Sequence, residues 1–466
     1  MTRTANLPTY DEAIQFLLER INYERTVSVP YDRRAFRLEQ MRELLERLEN
    51  PQAAFPIVHV AGTKGKGSTA AMVASILSAA GHRTALYSSP HFERLEERVA
   101  IDGEPCTHEE LVAVVARLRP VIADMDRRAA EGGNPGPTFF DALTAAAFLH
   151  FAARKVDAAV VEVGLGGRLD STNACQPRVS TIVSISFDHT KQLGSTLAEI
   201  AREKAGIIKP GVPVISGVQN PEAQAIIRHV AAENSSPLVE LGRDFDYRYA
   251  PPEHLERRHD DGRMSFEHQK SGAARSLDAL KLGLLGRHQA ANAAVALAVC
   301  RELEAQGWQL PEGAVRSGLA EVRLPARVEV ISRRPAVVLD AAHNLASIAA
   351  LLEVLDESFA AQPRLLVFAT TQEKDVAGML RLLVPRFGEI IFTRYLNNPR
   401  AIDPHELGQA AAALGAARYH VEPTPEAAWA CASAAAGPDH LVAITGSFFI
   451  AAEMRAAIER AHALTP

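Results

Sequence analysis

The sequence predicts an α/β fold in two parts: a larger one on a mostly parallel, doubly wound sheet, then a smaller Rossmann-like one. Three observations carry this. Short apolar runs alternate with helical segments along most of the chain. Two of those runs, 158–163 and 179–185, read as near-continuous apolar runs, typical of strands buried on both faces of a parallel sheet. A glycine-rich turn also separates the first run from a helix, in the strand–turn–helix order where open α/β sheets bind ligands.

The first strand is 57–60, and Ala-Gly-Thr-Lys-Gly-Lys-Gly-Ser-Thr follows at 61–69. This reads as a P-loop. Gly62, Gly65 and Gly67 let the backbone bend tightly and bring N–H groups against phosphate oxygens. Thr63 and Lys64 lie within the loop, Lys66 supplies a point charge for the β/γ-phosphates, and Ser68 offers a hydroxyl to Mg²⁺. The spacing is shorter before the lysine than in G-x-x-x-x-G-K-[ST], and a glycine separates Lys66 from Ser68. A helix over 68–80 would turn its positive end to the anion.

A strand at 84–87 follows, then a helix over 111–125 with Pro120 as a kink or break. A Gly/Pro-rich loop at 131–137 leads to a helix over 139–155, with Phe140, Leu143, Ala147 and Phe151 on one face. Strands at 158–163, 179–185 and 212–215 and a helix at 221–232 continue the pattern. Residues 240–285 are polar and broken, and a small antiparallel subsheet fits them. A helix over 288–305 follows. Glu321-Val-Arg-Leu-Pro325 reads as a junction, and strands at 337–339, 365–369, 389–392 and 441–444 lie beyond it. The expected domains are 1–322, the nucleotide-binding part with its subsheet, and 327–466.

With 466 residues, 47% hydrophobic and 23% charged, the chain suits two or three globular domains. A net charge of −6 argues against a nucleic-acid or membrane-surface binder, which carries a basic face. Four scattered cysteines with no CxxC pair fit a reducing cytoplasm. Residues 1–7 show no apolar signal core, and no apolar stretch reaches the roughly 18 residues of a membrane helix.

Beyond the loop, three features bear on chemistry. Glu162 ends a buried strand and is read either as a Mg²⁺ ligand or as a strand-end surface charge. Asp188-His189-Thr190 follows another strand's carboxyl end, so His189 is either a ligand or a hydrogen-bonded side chain. Lys204 rides a helix leading back towards the sheet, and charges on such helices are more often solvated than catalytic.

Together the motifs resemble the folylpolyglutamate synthase and dihydrofolate synthase family, relatives of the Mur amino-acid ligases. They are Gly62–Ser68; Ser88-Ser-Pro-His91 with Glu97-Arg-Val99; Thr138–Thr144; Glu162–Asn173; Asp188-His-Thr190; Glu203–Lys209; Gly286–Asn292; Leu324-Pro-Ala-Arg327; and Asp340-Ala-Ala-His-Asn344. The resemblance implies an ATP-dependent ligase that adds L-glutamate to a reduced folate or dihydropteroate carboxylate. It implies Lys66 on the ATP phosphates; Ser89, Glu162 and His189 on Mg²⁺; and a carbamylated Lys204. Asn292, Arg327 and Asp340 would contact the nucleotide, His343 and Ser447 the incoming glutamate, and Asp170 and Ser171 the pterin side. A monomer is the family default. The family loop usually carries Asn where Lys64 stands, Glu where Asp141 stands and Pro where Leu345 stands. Lys64 either adds charge at the phosphates or points to solvent.

The nearest rival is a Mur-type ligase acting on another carboxylate, such as a nucleotide-linked peptide. A P-loop GTPase switch or kinase lacks support, because there is no Asn-Lys-x-Asp motif. Retention of Lys66, Ser89, Glu162, His189 and Lys204 argues against a catalytically silent homologue.

Overall fold

The computed structural model describes residues 7–23, 38–132, 135–269, 275–372 and 374–463. Most of the expected signal-free N-terminus, two residues of the Gly/Pro-rich loop, and 270–274 of the polar segment lie outside them. The chain divides into two compact units. One comprises the residues up to Tyr247 with Phe266–Asp278 and Ala291–Glu321; the other comprises Arg248–Ser265, Ala279–Ala290 and the residues from Val322 onward.

The first unit holds an eight-stranded sheet of β1 (Ile57–Ala61), β2 (Thr84–Tyr87), β3 (Val99–Ile101), β4 (Glu104–Pro105), β5 (Ala158–Glu162), β6 (Val179–Ile182), β7 (Val214–Ser216) and β8 (Leu238–Glu240). Their order is β4-β3-β2-β5-β1-β6-β7-β8. From β2 to β8 every pairing is parallel, and β3 and β4 add an antiparallel edge. The chain leaves β1 towards β2 on one side and β6 towards β7 on the other, so a switch point opens between β1 and β6, where such sheets take ligands. β1, β5 and β6 are buried at every residue, which is why they are rich in apolar side chains, with His59, Ser180 and Thr181 buried among them.

The loop helix is Lys66–Ala79, starting two residues earlier than expected. Gly65, at φ 81°, is its N-cap, and Gly67 is already helical. Farther along, this helix meets Glu312–Glu321 backbone to backbone: a Cβ on Gly318 would lie 2.6 Å from Ile76 Cα, and Ser75 Oγ donates to the Gly318 carbonyl at 2.8 Å. Pro120 does not break its helix, which runs unbroken through His108–Glu131. Proline removes the donor for the Ala116 carbonyl, but Pro120 is exposed, so water can take that carbonyl. The helix Phe139–Ala153 is buried on nearly all sides rather than along one stripe, and ends two residues before the expected stop.

Within 240–285, β9 (Phe245–Ala250), β10 (Gly262–His268) and β11 (Arg275–Leu282) form a sheet in the order β11-β10-β9. The second unit carries β12 (Glu329–Arg333), β13 (Ala336–Leu339), β14 (Arg364–Phe368), β15 (Glu389–Phe392), β16 (Tyr419–Val421) and β17 (Leu441–Thr445). Their order is β12-β13-β17-β14-β15-β16, parallel apart from β12. Its core joins Val338, Leu351, Leu355, Leu366, Phe368, Phe392 and Ala443. Among the described residues no helix is long and apolar enough to cross a membrane.

Candidate active site

The Gly62–Ser68 loop rises from β1 and is laced to the segment after β6. Thr63 N–H donates to the Ser184 carbonyl at 2.8 Å. The Lys64 N–H donates to Ser184 Oγ at 3.0 Å, and that hydroxyl donates back to the Lys64 carbonyl at 2.8 Å. Thr63 Oγ1 donates to the Ser186 carbonyl at 3.2 Å and accepts its N–H at 3.1 Å. Sequence reasoning missed Ser184 and Ser186. Their two-residue spacing past a buried strand, which places both on one side of an extended chain, was the available signal. On the other side, Asn292 presses on the loop: a Cβ on Gly65 would lie 2.8 Å from its Cγ.

Lys64 does not point freely to solvent. Its Nζ pairs with Asp188 Oδ2 at 2.6 Å. Burial lowers the Lys66 pKa, and Glu162 is the foremost charge pulling it back, ahead of Asp188 and Asp170. A phosphate arriving beside Lys66 would do the same more strongly. Glu162, at the end of β5, is 4% exposed. Its Oε2 accepts the Ser89 N–H at 3.2 Å and would lie 3.3 Å from a Cβ on Gly67, so the carboxylate faces the start of the loop helix.

Lys204 is buried, and its pKa falls to about 7, first through burial and then through Lys66; Asp188 and Asp170 oppose the fall. Lys66, Lys204, Lys64, Asp170 and Asp188 therefore share one electrostatic neighbourhood. The Lys204 helix, Leu197–Ala205, is fixed from outside. The Arg168 N–H donates to the Glu203 carbonyl at 2.8 Å, and its guanidinium grips the Glu203 carboxylate at 2.9–3.2 Å. A Cβ on Gly167 would strike the Glu203 and Lys204 carbonyls at 2.9 and 3.0 Å.

His189 is placed differently. It has φ 49°, its side chain is 52% exposed, and its Nε2 lies 3.9 Å from Asp188 Oδ1. Asp170 is a loop organiser: Oδ1 accepts from Thr172 N and Oγ1, and Oδ2 from Leu165 N. Burial raises its pKa to about 6. Ser171 Oγ donates to Asp141 Oδ1 at 2.6 Å, and Asp141 completes the capping box with Thr138. The shorter carboxylate thus serves at the position where the family's usual residue is Glu.

For Mg²⁺, the chemistry on hand fits: a carboxylate and hydroxyls are the hard oxygen donors it prefers. Among the described residues no three His, Cys, Asp or Glu gather to hold a metal. A cation at Glu162 would therefore draw its other ligands from phosphate oxygens, water and hydroxyls.

In the second unit, a cluster forms at the carboxyl ends of the adjacent strands β13 and β17. Asp340 Oδ2 accepts the Val328 N–H and Oδ1 the Ala342 N–H, at 2.9 and 2.8 Å. Burial raises its pKa to about 6. The Arg327 guanidinium lies 4.9 Å over the Phe448 ring, whose centroid is 6.5 Å from that of His343. His343 Nδ1–H donates to the Ala341 carbonyl at 2.9 Å. Asn344 caps the helix Leu345–Ser358, and among the described residues its buried Nδ2 has no hydrogen-bond partner. Ser447 Oγ accepts the Ile450 N–H at the start of the helix Phe448–Ala463. Two helix N-termini thus converge there, a setting that favours an anion.

Comparison with known proteins agrees with this architecture. The Mur ligase middle domain matches residues 60–300, and the Mur ligase glutamate ligase domain residues 326–448. The dihydrofolate synthase/folylpolyglutamate synthase of Bacillus subtilis is 33% identical over 90% of this chain and 94% of its own. The folylpolyglutamate synthase of Lacticaseibacillus casei is 36% identical over 88% and 92%. The structure of Mycobacterium tuberculosis folylpolyglutamate synthase complexed with ADP aligns with TM-score 0.85 and 31% identity, covering 96% of this chain and 97% of that one. With its phosphate loop, its buried Glu162 and these relatives over nearly its whole length, the chain belongs to the folylpolyglutamate synthase/dihydrofolate synthase family of ATP-dependent Mur ligases.

Proposed function

We propose that the chain joins the α-amine of L-glutamate to the carboxylate of a folate or dihydropteroate, with ATP supplying the driving force. The observation that carries this reading is the meeting of Lys66, Glu162 and the Gly62–Ser68 loop at the carboxyl ends of β1 and β5. A carboxylate is a poor acyl donor because oxide is a poor leaving group. Its oxygen attacks the γ-phosphorus, the bond to the β–γ bridging oxygen breaks, and ADP leaves an acyl phosphate. The free amine of glutamate then attacks the carbonyl carbon, the C–O bond breaks, and inorganic phosphate departs with the amine's proton passing to solvent or phosphate. Positioning and charge neutralisation dominate such transfers. Loop N–H groups and Lys66 hold the phosphates, and Asn292 supports the loop backbone. Glu162, with Ser89 and His189, would hold Mg²⁺, which when bound neutralises phosphate charge. Arg327 meets the nucleotide, with Asp340 shaping the turn that carries it. His343 and Ser447, at the convergent helix ends, receive the glutamate carboxylates. Asp170 and Ser171 shape the pterin side.

Lys204 is proposed to carry a carbamate. An amine with a pKa of about 7 is substantially neutral at physiological pH, and the neutral amine adds CO₂ to give a carbamate anion and a proton. Equilibration with carbon-13 bicarbonate should give one carbamate carbon signal that Lys204→Met abolishes; no difference between the two chains would reject it. The same pKa fixes a stability trend for the unmodified chain. Unfolded Lys204 keeps its proton up to about 10.5 and the folded chain releases it near 7, so stability rises with pH across that window. Under CO₂-free conditions Lys204→Met should therefore gain stability at pH 7, on the order of a few kcal/mol, and lose that advantage near pH 10, read by denaturant titration.

The direct test of the activity is phosphate release from ATP and Mg²⁺ with L-glutamate, comparing dihydropteroate with tetrahydrofolate. Turnover with either supports the reading, and their ratio assigns the preferred acceptor. No glutamate-dependent release with both would favour a Mur-type ligase for another carboxylate.

A further inference from the structure

The turn that carries Arg327 is built under backbone strain. Ala326 has φ 51° and Val328 φ 50°, so two non-glycine residues, one of them β-branched, flank the arginine in the left-handed region. Such a turn persists only where its surroundings over-determine it. Here two carboxylates do so, one for each strained residue. Asp340 Oδ2 accepts the Val328 N–H at 2.9 Å, and Glu329 Oε2 accepts the Ala326 N–H at 2.9 Å. The Ala326 carbonyl in turn accepts the Ala341 N–H at 3.0 Å. Glu329 is itself paired with Arg455, which lies on the helix Phe448–Ala463. The first residue of that helix, Phe448, lies beneath the Arg327 guanidinium at 4.9 Å. One helix therefore holds the arginine's side chain at its start and, through Arg455 and Glu329, the arginine's backbone turn two turns later.

The geometry points to Glu329 as a positioning residue for Arg327: its carboxylate fixes the strained turn so that the guanidinium meets the nucleotide already oriented. This rests on the proposed contact of Arg327 with ATP. No part of the assigned machinery requires a carboxylate at 329, and its side chain is only partly exposed. A preoriented guanidinium loses little freedom on binding, whereas a freed turn must be ordered by the ligand itself.

The test compares Glu329→Ala, Glu329→Gln, Arg327→Ala and the Glu329→Ala/Arg327→Ala double variant, with the Michaelis constants for ATP and for the folate acceptor and the melting temperature measured for each. Glu329→Ala should raise the KM for ATP by roughly 10–100-fold, the range expected when a binding group is misplaced by about an ångström. The acceptor KM should hardly move. Glu329→Gln, whose amide oxygen still accepts the Ala326 N–H, should recover most of the loss. In the Arg327→Ala background Glu329→Ala should add nothing, because the residue it positions is gone. A normal ATP KM in Glu329→Ala, beside a raised one in Arg327→Ala, would overturn the positioning role alone, as would full additivity in the double variant. A normal ATP KM in Arg327→Ala would overturn the nucleotide contact and this inference with it. An equal rise in both Michaelis constants together with a fall in melting temperature, unrescued by glutamine, would assign Glu329 to folding instead.

Discussion

Glu162→Ala is expected to lower glutamate-dependent phosphate release by about 10²–10³-fold or more, the scale seen when a group that stabilises transition-state charge is removed. Two losses combine. The carboxylate that would hold the cation against the phosphates is gone. So is the foremost charge that keeps Lys66 protonated against the pull of burial. Glu162→Gln separates charge from shape. Its amide oxygen can still accept the Ser89 N–H, now met at 3.2 Å, but it restores no charge. The glutamine variant should therefore fold like the parent and remain nearly as inactive as the alanine variant. Normal turnover in either would remove Glu162 from the chemistry.

Gly65→Ala is expected to be the most damaging single methyl group in the loop. At φ 81° an alanine costs about 1–2 kcal/mol in the left-handed region whatever the surrounding space. The new Cβ would also lie 2.8 Å from Asn292 Cγ and closer still to its Oδ1. The amide must swing away, and the helix that starts at Lys66 loses its cap geometry. We expect a rise of at least about tenfold in the KM for ATP, equivalent to roughly 1.4 kcal/mol, together with a lowered melting temperature. Adding Asn292→Ala makes room but leaves the φ penalty, so it should restore only part of the loss. Full restoration would show the clash to be the whole effect. A silent Gly65→Ala would mean the loop does not need this turn.

The fold was legible where burial is uniform. β1, β5 and β6 are covered on both faces, so their sequences are mostly apolar, and the polar residues inside them, His59, Ser180 and Thr181, are buried too. The phosphate loop was legible because glycine, lysine and hydroxyl have to come in one order around an anion. Other features depend on three-dimensional context that a linear pattern does not hold. Gly67 looks like a helix breaker yet sits in the first helical turn, because Gly65 already takes the turning conformation. Pro120 looks like a stop, but its lost hydrogen bond faces solvent. The one apolar face expected on a helix over 139–155 understated the observed helix Phe139–Ala153, which is buried nearly all round. The resemblance implies Asp170 on the pterin side and Asp340 at the nucleotide; in the structure the oxygens of both take backbone N–H groups. That tie depends on turn geometry rather than residue type. The pairing of Lys64 with Asp188 spans 124 residues, with no local trace of it in either segment.

The seam at Gly318 gives the phosphate cradle a foundation far from any ligand. Ile76, where Gly318 touches the loop helix, stands ten residues beyond Lys66, about 15 Å along the axis at helical rise. The cradle is the front of a post whose rear is set against a second helix at a point where Gly318 brings no side chain. Binding geometries of this kind tolerate displacements of only about half an ångström, and a methyl group at 318 would need more room than that. Nucleotide affinity in this chain is thus partly a property of masonry: a residue that never approaches ATP sets where the ATP-binding end stands, and a variant weak in binding can owe its defect to the back wall.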